Sequence, residues 1–138
     1  MKKKTVIIIV SVMLMALVFM AGCSKSYIND VKGWRPYRDY GINATVGTVF
    51  EKYLSDCTWT QGEFGNGVTY FVNANGKIDG ESARIRFEVN VSRSSIEWQV
   101  HSFTFGDEVY DRETSRGWFE TFFDAYEAGA ATIPEYFD

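Results

Sequence analysis

Behind an apolar run from Val6 to Ala21, interrupted only by Ser11, the chain breaks into short periodic stretches. Val46, Val49, Phe50, Tyr53 and Leu54 fall at i, i+3, i+4, i+7 and i+8, a single helical stripe. Thr45 stands ahead of it with a hydroxyl suited to the free amides of a first turn, so a helix is predicted over 46–55. Gly47 weakens that first turn by up to ~1 kcal/mol and permits close packing. Cys57 to Phe64 alternates weakly and predicts a first strand, closed by the Gly65-Asn66-Gly67 turn.

Two turn signals then compete for the next hairpin. A turn at Asn75-Gly76 would set Val72 against Asp79 and Tyr70 against Glu81. A turn at Asp79-Gly80 pairs Ala74 with Ile85, Val72 with Phe87, Tyr70 with Val89 and Val68 with Val91, all apolar and all on one face. An odd slip from this register would bury Arg84 and Arg86, so the second turn is the one predicted. After a turn over Ser92 to Ser95, Ile96, Trp98 and Val100 fall opposite Val91, Val89 and Phe87. Parity then breaks, and a bulge near His101-Ser102 is needed to return Phe103 and Phe105 to the core. Gly106-Asp107 ends that strand. Trp118, Phe119, Phe122, Phe123 and Tyr126 form an aromatic stripe behind Asp111 as cap, predicting a helix over 112–128 that Gly129 stops. Tyr27 to Tyr40 fits no single period and reads as an irregular segment pinned by its aromatics.

The pattern predicts an α+β fold: a four-stranded antiparallel meander with one helix before it and one after it, both packed on a single face. Residues 27–130 form one domain, and 131–138 are expected to fray. At 138 residues, 46% apolar and 23% charged, there is room for one such core and not two.

The apolar run has its own reading. At ~1.5 Å per residue it spans about 24 Å as a helix, short of the ~30 Å hydrocarbon core. Lys2-Lys3-Lys4 ahead of it and small residues behind it mark residues 1–22 as a signal peptide. Met20-Ala21-Gly22-Cys23 resembles the bacterial lipobox, with methionine where leucine is usual. The resemblance implies a diacylglycerol thioether on Cys23, which becomes the new N-terminus, and a tether of only 23–26. An anchor of two or three acyl chains holds far more firmly than a single myristoyl group, so the domain is expected on the extracytoplasmic side of the cell membrane. The stretch from Val31 to Tyr126 resembles small lipoproteins of Gram-positive bacteria, through Thr45-Val46-Gly47 with Phe50, Trp59, the Asp79-Gly80-Glu81 turn and Ile85-x-Phe87. The resemblance implies the fold of β-lactamase inhibitor protein and of small outer-membrane assembly lipoproteins, a helical layer on one face of an antiparallel sheet. Its motifs are caps, turns and core positions, so it speaks for fold and not for an activity.

Composition narrows the function. The formal charge is −4, and removal of the three leader lysines leaves 11 basic against 18 acidic residues. That balance argues against a nucleic-acid partner. With Cys23 alkylated, Cys57 has no partner and reads as a small buried hydrophobe. His101 is the one imidazole, and no serine or cysteine at suitable spacing makes it half of a nucleophile pair. Asp107, Glu108 and Asp111 supply too few oxygens for a hard cation and read as turn and cap residues. Asn73 to Gly80 has Lys77 where a calcium loop needs an acceptor. No cofactor and no enzymatic activity are expected. The remaining candidate is the outer sheet face, where Phe71, Asn73, Asn75, Arg84, Arg86, Gln99 and His101 would form a docking surface for an envelope protein. The alternative is small-molecule binding or envelope-stress sensing, using a cavity between the aromatic helices and the sheet.

Overall fold

A computed structural model describes residues 25–134. The expected signal peptide and the expected lipidation site Cys23 lie outside the described residues, as do 135–138. The elements run α1 (Ile28–Lys32), a 3₁₀ turn (Arg38–Tyr40), α2 (Val46–Tyr53), β1 (Ser55–Glu63), β2 (Thr69–Ile78), β3 (Glu81–Val91), β4 (Ile96–Phe105), β5 (Glu108–Tyr110) and α3 (Arg112–Glu127). The fold is α+β, with an open antiparallel sheet in the order β1-β2-β3-β4-β5.

The β2–β3 hairpin has the register the apolar pairing requires, with Ala74 opposite Ile85, Val72 opposite Phe87 and Tyr70 opposite Val89. Asp79 and Gly80 both take positive φ (50° and 81°), as a two-residue turn matched to strand twist demands. On β4, Val100 faces Phe87 but Ser102 faces Arg86, which leaves His101 as the extra residue of a bulge. Phe103 beyond it is fully buried.

Four expectations are corrected. The sheet has a fifth strand, β5, paired with the end of β4; three residues are too few to show an alternation in sequence. The segment 27–40 is not wholly irregular, because one helical turn over Ile28–Lys32 buries Val31, and Tyr27 beside it is buried as well. Helix α2 stops at Tyr53 instead of 55, since Leu54 is already extended and leads directly into β1. The tail is also packed further than 131, as Ile133 is buried in the core.

Thr45 and Asp111 cap α2 and α3 by accepting from the Thr48 and Thr114 amides. The core lies between those helices and the inner sheet face. The Phe50 ring meets Phe87, Phe119 and Phe122 at 4.8–6.1 Å between centroids, and Phe122 meets Phe103 at 6.0 Å. Such stacked, tilted and edge-to-face pairs add to area burial. No helix among the described residues is long and apolar enough to cross a membrane.

Candidate functional site

Alternation along β2, β3 and β4 sends every second side chain to the face opposite the helices. On that face lie Phe71, Asn73 and Asn75 of β2, Arg84, Arg86 and Glu88 of β3, and Gln99 with His101 and Ser102 of β4. They form a layered network. Thr60 on β1 accepts from both amides, Asn73 Nδ2 at 3.3 Å and Asn75 Nδ2 at 3.1 Å. The Thr58 carbonyl takes a second bond from Asn75 Nδ2. Turned in this way, the two amide oxygens face β3 and accept from Arg86 Nε at 2.9 Å and Arg84 Nε at 2.8 Å. Each guanidinium is thereby held by its Nε–H, and its two terminal amino groups, with four N–H donors, remain for other partners.

Phe71 lies beneath Arg86, whose guanidinium carbon is 4.2 Å from the ring centroid, a stacked cation–π arrangement. The far end of the ring lies against Gly62 of β1, where a Cβ would overlap it. Phe64 folds over the same face, 5.3 Å from Phe71 and 5.7 Å from His101 between centroids, and stays 43% exposed. At the other end of the face Glu88 is occupied. One of its oxygens accepts from Gln99 Nε2 at 2.6 Å and from Asn90 at 3.4 Å, and lies 3.6 Å from Arg112 of α3. Neither Arg84 nor Arg86 has a carboxylate ion-pair partner among the described residues.

The electrostatics follow. Burial, and after it the charge of Arg84, lower the Arg86 pKa from its ordinary value. His101 is also pushed down, chiefly by burial. Arg112 and Arg86 add to that, against an opposing pull from Glu88. Its Nδ1 sits 3.1 Å from the Ser102 hydroxyl. Between β3–β4 and the start of α3 the surface dips into an open groove of about 530 Å³ that Arg84, Arg86, His101, Ser102 and Arg112 help to line.

The expected site residues do share one face, but their roles divide. Asn73 is only 4% exposed, so it orients Arg86 and presents little of itself. Gln99 is spent on Glu88. Sequence reasoning missed Phe64, although it sits two residues from Gly62 on the same side of the chain. It also missed Arg112, which only the α3–sheet packing brings near. Cys57 is half-buried instead of fully buried. Burial, and then the Glu51 charge, push its thiol pKa up to about 11 despite the opposing Lys32, so it remains protonated at neutral pH. Among the described residues no group of three or more His, Cys, Asp or Glu is placed to hold a metal ion. No protein-family model matches the chain, and neither a curated protein nor a solved structure shows a significant match to it.

Proposed function

We propose that the chain is a lipid-anchored, extracytoplasmic, non-enzymatic module that binds another envelope protein through the outer face of its sheet. The observation that carries this reading is the Arg84–Arg86 pair: two neighbouring cations, each fixed by an asparagine, left without a carboxylate on an open face beside an exposed aromatic. Arginine and aromatic side chains dominate interface energies, and fixing them in advance lowers the entropy lost on binding. The mutual contacts of Phe50, Phe87, Phe103, Phe119 and Phe122 favour this surface over a ligand site between helices and sheet.

The short tether fits the anchored reading. Tyr27 N donates to Gln61 Oε1 at 2.6 Å, and Gln61 Nε2 donates to the Lys25 carbonyl. The domain therefore begins within a few residues of Cys23. A thioether there would hold the module against the membrane, and its partner would be met on that surface.

Photo-crosslinking in native membranes tests this, with the cross-linker in place of Val109 on the rim of the groove. One dominant protein adduct, lost when Arg84→Glu reverses the charge, is expected. Such exposed changes usually cost within ~0.5 kcal/mol of stability, so the fold should survive. Scattered adducts, or an adduct indifferent to the reversal, would overturn the docking face. In parallel, Cys23→Ser should release the chain from the membrane fraction; retention would overturn the thioether anchor.

A further inference from the structure

The groove at the β3–β5 corner carries a more specific inference, which rests on the docking reading above. Its cations and its anions are unequally committed. The Asp111 carboxylate is turned into α3, accepting from Thr114 N at 2.8 Å. Glu88, the carboxylate nearest Arg112, already serves Gln99 and Asn90. Arg84 and Arg86 keep their terminal amino groups, the Ser102 and Thr104 hydroxyls line the wall, and Val109 on the lip is 71% exposed. A chain with net charge −4 thus gathers three guanidiniums at one end of its sheet.

Spacing selects the ligand. Arg84 and Arg86 are alternate residues of one strand, so their side chains leave the sheet about 7 Å apart. That is also the repeat of alternate side chains in any extended peptide. One phosphate would occupy a single fork and leave the other unmatched. Two monoanionic carboxylates on alternate residues would meet one fork each, in bidentate geometry. The groove is also far from the chain's own entry point. Lys25 and Tyr27 join at β1, the opposite edge of the sheet, so the segment that enters the domain is not its occupant.

We propose that this groove binds an extended acidic segment of the partner protein, with carboxylates on alternate residues received by Arg84 and Arg86.

The full-length chain in detergent micelles can be titrated, at low salt, with a fluorescein-labelled peptide of alternating Ser and Glu and with its isomer carrying the same glutamates in one block. The alternating peptide should bind several-fold tighter than the block isomer. Arg84→Gln or Arg86→Gln should each weaken it about tenfold, as loss of a charge-assisted pair does. Inorganic phosphate and anionic lipid vesicles of equal charge should not displace it. Equal binding of the two peptides, indifference to either glutamine variant, or displacement by phosphate or vesicles would overturn the assignment. If neither peptide binds while cross-linking from position 109 still captures a charge-dependent protein, the acidic-segment assignment falls and the docking face stands. Failure of both removes both.

Discussion

His101 occupies the one position where β4 has a residue more than β3 opposite it. Its backbone is outside the ladder, and its ring is held between Phe64 and the Ser102 hydroxyl. Partial burial favours the neutral imidazole, so protonation is harder in the folded chain than in the unfolded one. The sign of the linkage is fixed by that direction. The unfolded chain binds the proton first as pH falls, near the ordinary histidine value of ~6.5, so His101 takes stability away below that pH and none above it. Because the chain has a single histidine, its ring proton gives one uncrowded NMR signal. That signal should titrate with a midpoint below 6.5, and a midpoint above it would mean that the Glu88 charge outweighs burial.

At the scale of elements, one buried hydroxyl joins three of them. Ser115 on α3 is fully buried, accepts from the Phe103 amide of β4 at 2.7 Å and donates to the Tyr110 carbonyl of β5 at 3.2 Å. Ser115→Ala removes both bonds and should cost about 1–2 kcal/mol, the net worth of two such interactions. Urea unfolding measures this, and a loss under ~0.5 kcal/mol would show that the joint is made by packing alone. Ser115 also marks how far the sequence can be read. The β2–β3 register and the His101 bulge were legible because a wrong register buries Arg84 and Arg86 or exposes Phe103, and each error is expensive. Both helix caps were legible because Thr45 and Asp111 are followed by clear stripes. Ser115 had a signal too, since it lies four residues before Phe119 on the buried stripe, where a polar residue must find partners. Strand β5 and helix α1 had none, because three and five residues do not complete a second period. The site divides the same way: which side chains share the outer face follows from alternation. That Asn73 stands opposite Arg86 follows from the same register, whereas the approach of Phe64 and Arg112 depends on packing between segments that the alternation does not relate.

For the molecule as a whole, the consecutive order of the strands has a consequence in time. Each strand pairs with its neighbours in sequence, so the sheet can zip from hairpins at small loop-closure cost, which favours fast folding. Helix α3 is different. Besides Phe103 of β4, Phe119 and Phe122 must reach Phe50, about 70 residues upstream along the chain, and contacts that close so long a loop are predicted to form late. Phe122→Ala should therefore cost ~3–5 kcal/mol and appear almost entirely as faster unfolding, with the folding rate nearly unchanged. Stopped-flow tryptophan fluorescence separates the two rates, and a folding rate that drops in proportion to stability would place α3 in the nucleus instead. Of the described helices, the last to be synthesised is then the last to dock. Until it does, Ile85, Phe87, Val100 and Phe103 lie on an incompletely covered apolar sheet, and a chain cut short before Arg112 would carry that adhesive surface permanently.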